Sequence, residues 1–114
     1  MKLFFSVTGA TNADTVFYIP VPSKCTVLTA QAACSADPGD GETIVFASGS
    51  TNVGTLTFGT DIAAGATGTY AADATNGETV FSAGGSIKAT ISTLTAAATF
   101  VDYVEVDEFA RVTQ

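Results

Sequence analysis

The sequence predicts an all-β fold, a single-domain antiparallel β-sandwich of about eight strands spanning residues 1–114, with a jelly-roll-like arrangement. Three observations predict it. Val, Ile, Thr, Phe and Tyr, the residues that suit a pleated half-buried surface, are abundant. Apolar and polar residues alternate in short runs, separated by turn signals about every 8–15 residues. Charged residues are few, four basic and eleven acidic, so no long window yields an amphipathic helix with a polar face.

The runs follow in order. Lys2 to Thr8 places Leu3, Phe5 and Val7 on one face, and Gly9-Ala10-Thr11-Asn12 turns the chain. Thr15 to Ile19 follows, with Phe17 and Ile19 inward, and stops at Pro20 and Pro22. Because proline cannot donate to a ladder, this end lies at an edge or corner. Cys25 to Ala33 sets Val27 and Leu28 on opposite faces. Asp37-Pro38-Gly39-Asp40-Gly41 is a loop. Thr43 to Ala47 carries Ile44 and Phe46 on one face, Gly49 to Asn52 turns, and Val53 to Phe58 carries Leu56 and Phe58 inward.

The Gly-, Ala- and Thr-rich stretch from Gly59 to Gly77 reads as a long connection with a short strand near Thr67 to Ala71. It is too long for simple hairpins, which argues against an eight-stranded open barrel. Asn76-Gly77 marks a hairpin or corner. Thr79 to Phe81 is a short run, and Gly84-Gly85 leads into Ser86 to Leu94, with Ile87, Ala89 and Ile91 facing one way. In the last run, Thr99 to Asp107, Phe100, Val104 and Val106 oppose Tyr103 and Glu105.

Cys25 and Cys34 would lie about 30 Å apart in a straight strand, at about 3.3 Å per residue. A disulfide tolerates only about 4.4–6.8 Å between Cα atoms. With no Gly or Pro between them to fold the segment back, both are expected to be free, buried thiols, in keeping with a reducing cytoplasm.

The net charge of −7, with only Lys2, Lys24, Lys88 and Arg111 opposing it, argues against nucleic-acid binding, which needs a basic stripe. The same acidity argues against an anionic membrane surface. No run approaches the roughly 20 apolar residues of a membrane span. Leu3-Phe4-Phe5 falls short of the roughly 7–15 apolar residues at the heart of a secretory signal, so none is expected.

Catalysis is not expected either. There is no His to serve as base beside a Ser, Cys or Thr, and Gly49-Ser50 and Gly85-Ser86 lack the nucleophile elbow. Two carboxylates could run a glycosidase. The candidates are Asp37, Asp40 and Glu42 in one loop, and Asp102, Glu105, Asp107 and Glu108 near the C-terminus. Both groups read as solvated loop and edge charges. Asp37, Asp40 and Glu42 also have the ligand chemistry of a calcium loop, though not EF-hand spacing, and are the only metal candidates. No cofactor is expected, since neither glycine cluster precedes a helix or a lysine as a phosphate cradle would.

The segments Asp61-Ile-Ala-Ala-Gly-Ala-Thr-Gly-Thr-Tyr70 and Val80-Phe-Ser-Ala-Gly-Gly-Ser-Ile-Lys-Ala-Thr-Ile91 resemble small virion proteins of tailed bacteriophages, in particular capsid decoration (cement) proteins of jelly-roll type. The resemblance covers roughly Thr43 to Asp107. It implies a homo-oligomer, a trimer first of all, made in the host cytoplasm. Its place would be the outer capsid surface, where it binds the major capsid protein and stabilises the head against internal DNA pressure. No extended N-terminal arm is evident, although strand addition by Lys2 to Thr8 would offer a means of attachment. The alternative is a tail-fibre or adhesin-type binding module recognising a host surface glycan or protein, which would gather Tyr18, Tyr70 or Tyr103 in a solvent-facing pocket.

Overall fold

The computed structural model describes residues 1–60 and 62–108. Asp61, which opens the first segment carrying the resemblance, and the basic Arg111 lie outside the described residues. The described chain is an eight-stranded β-sandwich without helices: β1 (Lys2–Thr8), β2 (Thr15–Pro20), β3 (Cys25–Cys34), β4 (Thr43–Ser48), β5 (Thr51–Thr57), β6 (Thr69–Ala72), β7 (Ser86–Ile91) and β8 (Thr99–Glu108). One sheet has the order β1-β8-β3 and the other β2-β7-β4-β5-β6, with antiparallel pairing throughout.

The pairing is that of a long ribbon folded on itself, β1 with β8, β2 with β7 and β4 with β5. β6 turns away to β5, and its approach meets β3 through the bridge from Thr67 to Ala33, main-chain hydrogen bonds of Cys34 with Gly65 and Ala66, and the Gln31 side chain on Gly68. β4 and β5 form a hairpin whose turn is Gly49-Ser50, tighter than the four-residue turn expected, because Gly49 adopts φ 60°.

Two bulges set which side chains face inward. Val27 pairs with Val106 and Thr29 with Glu105, leaving Leu28 as an extra residue that points to solvent. In a straight strand, residues nine apart fall on opposite faces. The bulge resets the alternation, so Cys25, Val27, Ala30, Ala32 and Cys34 are all buried, and both thiols are free. In β5, Val53 is the extra residue between the pairs Phe46–Gly54 and Ala47–Asn52, and it too is buried.

The inner faces of the two sheets meet in one core. Phe58 packs on Phe100 with ring centres 5.3 Å apart, and Phe5 on Phe17 at 4.9 Å. Every inward residue expected from alternation lies in this core or against it; Leu3, Phe5, Val7 and Phe17 are half-buried. Val21, Phe81 and Leu94 add bulk that strand alternation did not single out. Gly54 lies beneath the ring of Tyr70, where a Cβ would collide with the tyrosine hydroxyl.

Some expectations fail. Thr79 to Phe81 is not a strand: only Phe81 pairs, exchanging main-chain hydrogen bonds with Cys25. Of the hairpin and the corner expected at Asn76-Gly77, the structure has the corner, a turn closed by the Gly77 N–H on the Asp73 carbonyl. The inward face expected of the N-terminal run holds, by contrast: β1 pairs along its whole length with β8 and rests Leu3, Phe5 and Val7 on the core.

Ile91, fully buried and flanked in register by Thr15 and Ile44, tests the core assignment. Ile91→Asp should abolish cooperative thermal unfolding, because an unpaired buried charge costs several kcal/mol against a total stability of about 5–15 kcal/mol. A soluble variant with a sharp melt would show the face to be misassigned. Alkylation without reductant should add two labels to the unfolded protein and none to the native one, read by mass.

Candidate functional site

The acidic loop does not assemble a cation site. Asp37 uses Oδ1 to accept the Gly39 N–H at 3.0 Å, closing its own turn. Glu42 turns toward Ser92, the residue that follows β7: its Oε1 accepts the Ser92 hydroxyl at 2.7 Å, and Ser92 in turn accepts the Thr43 N–H at 2.9 Å. Asp37 and Asp40 line a shallow hollow with Thr95 and Ala96. Among the described residues, no group of three or more His, Cys, Asp or Glu side chains converges to hold a metal ion.

The C-terminal carboxylates scatter. Glu105 and Asp107 face outward from β8, and Glu108 accepts a hydrogen bond from the Ser23 hydroxyl. Asp102 corrects the expectation of solvated charges. It follows the parity of Phe100, Val104 and Val106, so β8 points it into the core, where it is 2% exposed. Its register neighbours are Phe5 and Ala32. Neither carboxyl oxygen has a hydrogen-bond partner. Burial pushes its pKa up to about 7. The remaining ionisable groups of the described core are Cys25, Cys34 and the half-buried Tyr70, each raised chiefly by burial and therefore neutral. No cation compensates Asp102 there. A raised carboxyl pKa is one mark of a general acid, but this one faces no cleft and lies on the opposite face of β8 from Glu105. The strict alternation of Phe100, Asp102, Val104 and Val106 was the sequence signal for its burial.

The tyrosines lie apart. Tyr70 packs inside, 6.2 Å from the Phe46 ring, with its hydroxyl on the Val53 carbonyl at 3.5 Å. Tyr103 lies on the outer face of the three-stranded sheet, between Phe4, whose ring centre is 5.7 Å away, and the Lys2 ammonium, 4.7 Å from its own ring centre. Tyr18 stands on the outer face of the other sheet, opposite Lys88 in register. Phe4 is 71% exposed and Val101, on the same face, 61%. Phe4, Tyr103 and Val101 form an apolar strip on the outer face of the three-stranded sheet, which can make contacts.

A groove of about 640 Å³ opens between β3 and the turn after β6, lined by Thr26, Leu28, Asp73, Thr75, Glu78 and Asp107. Asp73 already caps that turn, accepting the N–H groups of Thr75 at 3.1 Å and Asn76 at 2.7 Å. At the far end of β3, Gln31 takes the place of a strand residue. Its Oε1 accepts the N–H groups of Ala32 and Gly68, and its Nε2 donates to the Gly68 carbonyl, all at 2.9 Å.

Comparison with known proteins gives no match: no family model, no curated protein and no solved structure aligns with the chain.

Asp102 makes stability depend on pH. Its folded-state pKa of about 7 exceeds the ordinary 3.8, so between these values the folded state holds the proton and the unfolded state releases it. This contribution is therefore fully present below about pH 4, falls as pH rises, and is gone above about pH 7, a loss of about 4 kcal/mol at 1.36 kcal/mol per pKa unit. Asp102→Val should raise the melting temperature at pH 8 and flatten its fall between pH 4 and 7. An unchanged pH profile in this variant would contradict the assignment.

Proposed function

We propose that this chain is a structural protein of a virion, a decoration subunit that binds the outer surface of a phage head through the major capsid protein and stabilises the shell. The observation that carries the reading is the distribution of aromatic and apolar side chains. A receptor-binding tip or adhesin would gather its tyrosines in a pocket. Here Tyr70 is spent on the core, while Tyr103 and Tyr18 lie on opposite outer faces, the former in an exposed strip with Phe4 and Val101. Such a strip suits lateral contact between subunits of a lattice.

The winding of the sandwich supports the same reading. Pairing β1 with β8, β2 with β7 and β4 with β5 follows the jelly-roll scheme, departing from it where β6 joins β5 rather than β3. The protein acts by contact rather than catalysis. Because β1 and β2 carry no acidic residue and the strip is apolar, attachment depends on buried area, multiplied over many copies.

Stoichiometry tests the proposal. In purified particles, the copy number should stand in a fixed ratio to the major capsid protein, and stripping the chain should lower the temperature at which heads release DNA. A few copies per particle would assign it to a tail or fibre instead.

A further inference from the structure

The sandwich has two open sides, and the chain treats them differently. At the β3–β6 side it covers its own edge: Phe81 pairs with Cys25 at one end of β3, while Ala66, Thr67 and the Gln31 amide close the other. At the β1–β2 side, the described residues supply no cover. Exposed strand edges of this length are normally blunted or paired.

The hydrogen bonds fix which groups this edge presents. Met1 and Val106 exchange main-chain bonds at 3.2 and 2.8 Å, and the Gly9 N–H meets the Ala98 carbonyl at 3.0 Å. Odd-numbered residues of this stretch therefore bond to β8. The N–H and C=O groups of Lys2, Phe4, Ser6 and Thr8 point away from the sheet. Likewise Val21 bonds to Gly85 and Gly84, so Val16, Tyr18 and Pro20 point outward from β2. Pro20 lacks an N–H where no intramolecular bond needs one.

We propose that this side is a two-fold interface with a second copy of the chain, which extends both sheets at once. The proposal concerns the molecule's self-association and does not depend on the virion reading. The edge is self-complementary about a single axis. Antiparallel pairing of β1 with its copy about Phe5 sets Phe4 against Ser6 and Lys2 against Thr8, large beside small, with outward groups meeting outward groups. Pairing of β2 with its copy about Phe17 sets Val16 against Tyr18. Phe5 and Phe17 are already in ring contact at 4.9 Å, so one two-fold axis perpendicular to the sheets serves both registers. It closes a quartet of phenylalanines over side chains that are half-exposed in the single chain.

The ends of the edge also match. Lys2, Leu3, Phe4, Ile19 and Pro20 border an apolar groove of about 410 Å³ at one end, and the exposed connection from Thr11 to Asp14 stands at the other. The two-fold brings the connection of one copy to the groove of the next. From Lys2 to Pro20 the only charged side chains are Lys2 and Asp14, one at each end, so the same rotation places opposite charges together. An interface free of other charges suits self-association in a chain of net charge −7.

Sedimentation velocity over a concentration series, with the full chain, reads the assembly. The expected species is a dimer. Ser6→Pro removes an outward N–H but no bond to β8; it should keep the circular dichroism spectrum and raise the dimer dissociation constant at least about tenfold. Ser6→Lys, which places a charge opposite Phe4 of the second copy, should do the same if the proline variant fails to fold. The double variant Phe4→Cys with Ser6→Cys should form a covalent dimer on oxidation, because directly opposed residues lie about 5.5 Å apart between Cα atoms, within disulfide range. Each single variant should not. A monomer at all concentrations, a trimer, a dimer indifferent to the folded Ser6 variants, or failure of the double variant to cross-link would each overturn the proposal. A monomer would return the edge to a strand of a different protein.

Discussion

The position of β8 between β1 and β3 is the constraint on which the sandwich depends. The last strand holds the first, with Lys2 opposite Glu105, and on its other side holds β3, with Cys25 opposite Glu108. Nothing local can build that sheet. Nearly the whole chain separates β1 from its partner, so the three-stranded layer forms only after the ends meet. Its inner face then covers the five-stranded layer through Phe58 on Phe100 and Phe5 on Phe17. A fold of this kind pays loop-closure entropy before it gains contacts, and slow folding relative to helical proteins of equal length follows.

The same central strand carries the one polar side chain buried among the inner faces of the described residues. Asp102 is flanked by strands on both sides, so neither its backbone nor its side chain can turn to water without unzipping the layer. The carboxyl group is tolerated because it can remain protonated. The molecule thus combines a core that favours mildly acidic conditions with a surface dominated by carboxylates, and the two respond to pH for unrelated reasons.

Much of the fold was legible in the sequence. The run from Lys2 to Thr8 coincides with β1, and the inward parity of Ile44, Phe46, Ile87, Ile91, Val104 and Val106 was readable because polar residues separate them at a period of two. The rest was hidden for identifiable reasons. A bulge leaves no mark when the inserted residue is apolar, as Leu28 is, so the shared face of Cys25 and Cys34 could not be read from spacing. Thr79 to Phe81 alternates like a strand but lacks a neighbour with free edge groups beyond Cys25. The loop acids Asp37 and Glu42 had suitable chemistry, and only three dimensions show them engaged by Gly39 and Ser92. Asp102 was legible in its parity, but a carboxylate ordinarily lies at the surface, and parity alone does not say which tendency prevails.

The contact between Gly54 and Tyr70 binds two positions into one heritable unit. A side chain at residue 54 displaces the tyrosine ring from its seat against Phe46, whereas loss of the tyrosine leaves the glycine merely unconstrained. The dependence between the two positions is therefore one-sided: glycine is needed where the ring lies over it, and the ring is not needed for the glycine.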